Sequence, residues 1–260
     1  MKSVKYFILV FLGILIGCNE EEYTPGPFSG VPGKKLKLWE NAYEDGTDLL
    51  FEYNDNEFLE SESRVENNTK TLLSKYEYVN NRLTKWIFYN ETGESHGYIE
   101  YDYPGENKVT AIDYRPTAND EFFVNQYFFE NDLIKEIRYT SISWPDDYTH
   151  KHVFEHDAEG NLTEVKVFYG DDLNQIFNFT YSNHNSMFQN VTPHLALLSW
   201  GPEPFFSFRK LYDSVRKRTY QDGILQSDYT REYNFEFDTE GYPILLKAEN
   251  GNVQHRYDYY

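Results

Sequence analysis

The stretch FEHDAEGNL, residues 154–162, recurs as FEFDTEGYPI at residues 235–244. In both copies an aromatic strand-like run ends at an Asp, and a Gly follows three residues later. Asp is typical of the first position of a type I turn, and Gly readily adopts the positive φ that then reverses the chain. The unit therefore predicts a strand, a tight turn and a returning strand, which together form a β-hairpin.

Alternation between apolar and polar residues continues on both sides of these two copies, from residue 34 to the C-terminus. Period 2 marks strands with one buried face, and aromatic residues favour a pleated surface. Weaker copies of the unit begin near Tyr76, Tyr101 and Tyr127, with turn residues between the runs. The sequence predicts a single all-β domain over residues 34–260. We expect an antiparallel meander of successive hairpins, strongly curved or barrel-like.

One irregular apolar segment interrupts this pattern, PHLALLSWGPEPFFSF at residues 193–208. It breaks the alternation and contains three Pro residues. A meander must close or cover its edge strands, and an internal plug is one way to do so. We therefore expect this segment to pack across the concave face of the sheet.

The composition is that of a folded, acidic protein. The 260 residues include 24 Lys and Arg against 43 Asp and Glu, a formal net charge of −19. Nucleic-acid binding needs clustered positive charge, so no nucleic-acid partner is expected. The single Cys excludes an internal disulfide framework and a Cys-rich zinc site. Membrane-spanning strands need an apolar outer band, whereas many candidate outward positions here are Glu, Lys, Asn or Arg.

The N-terminus, MKSVKYFILVFLGILIGC at residues 1–18, has two Lys before an apolar run of eleven residues. That run is too short for a membrane-spanning helix and is typical of a secretory signal peptide. Its end, LIGC, resembles the lipobox of bacterial lipoproteins, in which the Cys is acylated and becomes the new N-terminus. The resemblance implies a signal peptide over 1–17, lipid attachment at Cys18 and stable anchoring in the outer membrane.

Residues 18–33 are predicted to be the acylated Cys and a flexible tether, because they are rich in Pro, Gly and Glu and lack periodicity. The acidic run at residues 20–22 resembles the export signal of Bacteroidetes-type surface lipoproteins. A solvated acidic tether is the alternative interpretation. Whether the protein faces the periplasm or the cell surface stays open.

The repeated aromatic-x-aromatic-Asp-x-x-Gly unit resembles the YD repeats of large secreted bacterial proteins. Together with the lipobox and the tether, it makes the chain similar to Bacteroidetes-type lipoproteins that carry a domain of unknown function with a porin-like β fold. The stretches 195–201 and 238–243 agree with this resemblance. It implies an architecture and a location, and it supplies no catalytic residues.

Histidines and paired carboxylates are the first candidate sites. His150, His152 and His156 share one face of a predicted strand, where two imidazoles could hold a metal. No fourth ligand is evident, so a histidine cluster on a solvated strand face is expected and no metal is predicted. The pairs Asp146–Asp147 and Asp171–Asp172 could act as catalytic carboxylates, but adjacent Asp residues are ordinary turn chemistry.

Basic and aromatic residues give two further candidates. The basic runs at 209–210 and 216–218 could receive an anionic ligand, although ion pairing on a strand is the expected role. Aromatic residues beside Pro or Gly loops could stack against a ligand. The residues predicted to bind a ligand in this way are Trp144, Trp200, Phe205 and Phe206.

These observations favour a non-enzymatic, lipid-anchored envelope protein that binds a small apolar or glycan ligand, with no cofactor. The alternatives are a structural scaffold or protein-partner module without a ligand, and a hydrolase of envelope glycans. The sequence contains no nucleophile-elbow, phosphate-loop or dinucleotide-binding motif that would favour a particular enzyme.

Overall fold

The computed structural model describes residues 33–42, 46–114, 123–131, 133–141, 148–191, 210–248 and 250–260. Within these residues seventeen strands form one antiparallel sheet, which confirms the predicted all-β meander. Their bounds are β1 (Leu36–Glu40), β2 (Asp48–Tyr53), β3 (Leu59–Glu66), β4 (Thr69–Val79), β5 (Arg82–Tyr89), β6 (Ser95–Gly105), β7 (Lys108–Asp113), β8 (Phe123–Glu130), β9 (Leu133–Ser141), β10 (Tyr148–His156), β11 (Leu162–Tyr169), β12 (Asp172–Asn185), β13 (Lys210–Gln221), β14 (Ile224–Glu232), β15 (Asn234–Phe237), β16 (Pro243–Lys247) and β17 (Val253–Tyr259). No helix of these residues is long and apolar enough to cross a membrane. The predicted apolar segment at 193–208 lies outside the described residues.

Consecutive pairing curls the sheet into a nearly closed barrel. Each strand from β1 to β13 pairs with the one that follows it, β15 pairs with β16, β16 pairs with β17, and β17 returns to pair with β1. At Tyr233 the chain passes from β14, which pairs with β13, into β15, which pairs with β16. All nine residues of β14 are exposed. The opening in the barrel therefore lies between β14 and the short strand β15.

The turns that join the hairpins have the geometry that the repeated unit predicts. Asp157 Oδ1 accepts hydrogen bonds from the backbone N–H groups of Glu159 and Asn161, each at 2.9 Å, and Gly160 has a φ of 83°. The copy that begins at Asp238 has the same pair of hydrogen bonds, again at 2.9 Å, and a φ of 82° at its Gly. The turn prediction is confirmed for both copies.

Two further turns have the same geometry but begin at an asparagine, so the Asp-x-x-Gly spacing does not predict them. Asn54 Oδ1 accepts backbone hydrogen bonds from residues 56 and 58, and Asn90 Oδ1 accepts them from residues 92 and 94. A carboxamide oxygen accepts these bonds as a carboxylate oxygen does. The hairpin unit therefore occurs with Asn as well as with Asp at the start of its turn, and the Asp pattern alone underestimates the number of repeats.

The turn at residues 90–94 allows a direct test of backbone strain. Gly93 has a φ of 79°, and an added Cβ would meet nothing within 4 Å. We expect Gly93→Ala to lower the free energy of unfolding by about 1–2 kcal/mol, because a Cβ disfavours left-handed backbone. Gly105→Ala is the matched control, since Gly105 also has open space and lies outside the positive-φ region. Equal urea midpoints for the two variants would contradict this account.

Aromatic-x-aromatic tripeptides lie near the ends of seven strands. The first aromatic of each is buried, and these residues are Phe51, Tyr76, Tyr101, Tyr127, Phe154, Phe179 and Tyr257. The second aromatic lies at one rim of the barrel. Three of these rim tyrosines donate a hydroxyl hydrogen bond of 2.8 Å to a buried leucine's carbonyl: Tyr53 to Leu36, Tyr78 to Leu59 and Tyr103 to Leu83. The repeat thus builds an inner aromatic belt and ties the strands together at the rim.

The opposite face of the sheet carries ion pairs, most of them between neighbouring strands and one within β11. They include Lys85 with Glu100 at 3.3 Å, Lys166 with Glu155 and Glu164 at 2.7 Å each, and Arg216 with Asp228 at 2.6 Å. Exposed pairs of this kind contribute about 0–1 kcal/mol each. Their importance is that they place charge in the middle of the strands, on the outward surface.

Candidate functional site

The interior beside β3 and β4 holds a carboxyl group among aromatic rings. Glu62 pairs in register with Phe51 on one side and with Ser74 on the other, and both of these residues are buried. The Tyr76 hydroxyl donates a hydrogen bond to the Glu62 carboxylate. Burial raises the pKa of Glu62 to about 7, against the opposing effect of that hydrogen bond. Burial therefore favours the protonated form of this carboxyl group in the folded protein.

Sequence reasoning did not identify Glu62. In the run ESESR, residues 60–64, glutamates alternate with serines, a pattern that gives no reason to place a glutamate inside. The register between β3 and β4 shifts between Glu62 and Ser63, and a bulge of this kind redirects side chains. The only available signal was the aromatic density of the neighbouring strands.

Histidines of β10 form a second inner cluster with β9. The rings of His150 and His152 lie 5.6 Å apart. Tyr139 stacks on His150 at a centroid distance of 4.2 Å, and its hydroxyl lies 3.3 Å from Nδ1 of His152. Both ring nitrogens of His156 are buried without a hydrogen-bond partner in the described structure. No group of three or more His, Cys, Asp or Glu among the described residues could hold a metal.

Burial keeps these histidines neutral. It lowers the pKa of His152 to about 3, and the neighbouring His150 adds to the effect. Burial, together with the charge of Lys135, lowers the pKa of His156 to about 4. Each neutral imidazole offers one hydrogen-bond donor and one acceptor inside an aromatic cluster. The solvated histidine face that the sequence suggested is therefore wrong for His152, which is 2% exposed.

Polar groups continue along the inner face between these two clusters. Asp113 and Asn125 are both buried, on neighbouring strands β7 and β8. Asn125 hydrogen-bonds with Tyr127 of the inner aromatic belt. The interior is thus a mixture of aromatic rings and hydrogen-bonding groups.

A groove lies where β14 parts from the rest of the barrel, with a volume of about 410 Å³. Its lining comes from the end of β14, from β16 and from the turn before β17: Arg231, Glu232, Tyr233, Leu246, Lys247, Ala248, Asn250 and Gln254. Leu246 is buried, Tyr233 is half-buried, and Asn250 and Gln254 are exposed. The groove therefore combines an apolar and aromatic base with polar and charged walls.

Arg231 is held in this groove by its strand and by an aromatic ring. It pairs in register with Val215 of β13, and its guanidinium carbon lies 5.1 Å from the centroid of the Tyr233 ring. No carboxylate in the described ranges forms an ion pair with it. His255 is close enough for the charge of Arg231 to contribute to lowering the histidine's pKa, although burial is the larger cause.

From His255, an aromatic wall continues into the barrel. The Trp39 ring lies 5.6 Å from the rings of both His255 and Phe188, and 6.0 Å from Tyr257. Nε1 of Trp39 is buried, and it has no hydrogen-bond partner among the residues that the structure describes. This wall therefore contains a buried N–H donor without a partner in the described part of the chain.

The ligand-binding residues predicted from sequence cannot be placed in either site. Trp144, Trp200, Phe205, Phe206 and the predicted lipid-attachment residue Cys18 all lie outside the described residues. The same holds for Arg209 and for the pair at 146–147, while the pair at 171–172 lies at the turn between β11 and β12.

In the basic run at 216–218, the ion-pair interpretation is confirmed for Arg216, which binds Asp228 in a bidentate manner. Lys217 instead lies 5.1 Å from the ring centroid of Phe177. Sequence reasoning missed Arg231, because a single arginine in an alternating strand gives no signal of its own.

No protein-family model matches the chain. No curated protein matches it. Among solved structures, it is similar to a crystal structure described as a porin-like protein from Bacteroides uniformis ATCC 8492. The TM-score is 0.49 at 13% sequence identity, over 91% of this chain and 100% of that chain.

Proposed function

We propose that this chain is a lipid-anchored, non-enzymatic binding protein of the bacterial outer membrane, which takes a small apolar or glycan ligand at the groove beside β14. The observation that carries the proposal is the groove itself. Its volume of about 410 Å³ falls within the range of small-molecule sites. Five of its eight lining residues are polar or charged, so the lining is more polar than that of most such sites and suits a glycan better than an apolar ligand.

The proposed location rests on the N-terminal sequence and on the outward face. The lipobox-like LIGC supports acylation at Cys18, and the tether over 18–33 would separate the barrel from the lipid. The ion pairs of the outward face support a barrel that stands in water, because charge at mid-strand is costly in contact with lipid. The YD-repeat resemblance is consistent with an extracytoplasmic protein.

A binding role, rather than catalysis, is supported by how the titratable groups are distributed. Glu62 is hydrogen-bonded by Tyr76 and packed near Phe51, and it does not line the groove. Among the described lining residues, no Ser, Thr or Cys nucleophile is present beside a base. The alternatives are a scaffold or a partner module, and a glycan hydrolase.

Native mass spectrometry of the full-length chain in detergent tests the binding proposal. The protein is incubated with an extract of envelope lipids and glycans. We expect a defined adduct of fixed mass, because a groove of this size holds one small ligand. A spectrum without an adduct across the whole extract would overturn the small-ligand proposal and favour a scaffold or a protein-partner module.

A further inference from the structure

We propose that the groove binds a sugar that carries a carboxylate, and that Arg231 is the residue that receives the carboxylate. This inference rests on the proposed binding function and names its ligand class.

Arg231 is the cation of the groove that is free to bind an anion. Lys247, the other basic residue of the lining, is ion-paired with Glu236. Arg231 has no such partner within the described ranges, in a chain whose acidic residues outnumber its basic residues by 43 to 24. An arginine without a carboxylate partner in so acidic a protein offers its charge to a ligand.

The guanidinium is also well oriented for this role. Its strand pairs with β13 on one side, and the guanidinium lies against the ring of Tyr233. A guanidinium that lies over an aromatic ring keeps its outer N–H groups available, and these match the two oxygens of a carboxylate. Arg231 is exposed, so these N–H groups can be reached by a ligand from solvent.

The rest of the lining favours a sugar over a fatty acid. Asn250 and Gln254 are exposed carboxamides that can donate to and accept from hydroxyl groups. The buried Leu246 supplies apolar surface for the C–H face of a sugar ring, and Tyr233 adds an aromatic edge. An acyl chain would leave these polar groups desolvated and without partners, which costs binding free energy.

The charge balance favours a monoanion over a phosphate dianion. Glu232 lines the same groove, so its negative charge offsets part of the positive charge there. One guanidinium beside one carboxylate suits a ligand with a single negative charge. Sugars of the uronic acid type have this charge and also the hydroxyl groups that the carboxamides need.

The test measures binding of the methyl glycoside of galacturonic acid, which carries one carboxylate, and of the methyl ester of that compound to the full-length protein by isothermal titration calorimetry. The two probes share a carbon skeleton and hydroxyl groups, and only the first is anionic. We expect the wild-type protein to bind the acid at least about tenfold more tightly than the ester, since hydrogen bonds to charged groups are roughly twice as strong as neutral ones.

Variants then assign the effect to Arg231. Arg231→Gln is expected to weaken binding of the acid at least about tenfold and to leave binding of the ester unchanged, because it removes the charge. Arg216→Gln, on the neighbouring strand β13 and in an outward ion pair, is the matched control and should bind both probes as the wild type does. Arg231→Lys keeps the charge and should retain part of the preference. Thermal melts verify that each variant is folded.

Three results would overturn the inference: no binding of the acid by folded wild-type protein, equal affinity for acid and ester, or equal losses in Arg231→Gln and Arg216→Gln. If the envelope extract still yields an adduct in any of these cases, the binding function stands and only the ligand class is wrong. If neither the extract nor the acid binds, both proposals fail.

Discussion

Replacing His152 with Phe is expected to make the barrel more resistant to acid. His152 is 2% exposed, and burial holds its pKa at about 3, below the ordinary value of 6.5. The unfolded chain therefore binds a proton at a higher pH than the folded chain does. The stability that depends on a neutral His152 is complete above pH 6.5 and is lost as the pH falls from 6.5 towards 3.

The expected magnitude is large for a single side chain. Between pH 7 and pH 4.5, protonation of the unfolded chain at this position lowers the free energy of unfolding by about 2–3 kcal/mol. Phe cannot be protonated, and it keeps a planar ring beside Tyr139 and Phe154. The difference in stability between His152→Phe and the wild type should therefore grow by that amount as the pH is lowered.

The measurement is the free energy of unfolding in urea at pH 7.0, 5.5 and 4.5 for both proteins. The quantity compared is the change in the free energy of unfolding with pH. The effect of the substitution on packing, including the loss of the contact between Tyr139 and His152, is the same at each pH and cancels. His96→Gln, at an exposed histidine, is the control for removing an imidazole elsewhere. Parallel curves for His152→Phe and the wild type would show that His152 is not held neutral.

The amino-acid sequence is sufficient to predict the hairpins but not the identity of the inner polar groups. The turns at Asp157 and Asp238 depend on local chemistry, since each carboxylate accepts hydrogen bonds from residues within four positions. Alternation similarly predicts which aromatic rings share a face. Turn chemistry and alternation both depend on residues of a single turn or a single strand, so they can be recognised from a short stretch of sequence.

The inner carboxyl group and the groove depend on longer-range geometry. Glu62 is enclosed by Phe51 and Tyr76 because three strands come into register, with a bulge between β3 and β4. Arg231 lies in a groove because β14 changes partner at Tyr233 and β16 is short. A bulge and a change of pairing partner alter the positions of side chains but leave no strong pattern in the local sequence. For this reason the sequence analysis identified neither Glu62 nor Arg231.

Because the strand register buries Glu62, its contribution to the free energy of unfolding changes with pH in the opposite direction from that of His152. Burial raises the pKa of Glu62 from 4.5 to about 7, so the folded state prefers the protonated carboxyl. The stability that depends on a neutral Glu62 is complete below pH 4.5 and is lost as the pH rises through 7. Between pH 4.5 and 6.5 the contributions of Glu62 and His152 to stability oppose each other, and His156, whose pKa is lowered to about 4, acts in the same direction as His152.

Glu62→Gln is therefore expected to stabilise the barrel at alkaline pH and to leave it nearly unchanged in acid. At pH 8 the gain should be about 2–3 kcal/mol, since Gln is uncharged and its carbonyl oxygen can still accept the Tyr76 hydrogen bond. Glu60→Gln, two residues away at an exposed position of β3, is the matched control. Urea unfolding at pH 4.5 and pH 8 measures both. If Glu62→Gln gains no more at pH 8 than Glu60→Gln does, the Glu62 carboxylate is solvated when charged, and the inner face at β3 is open to water.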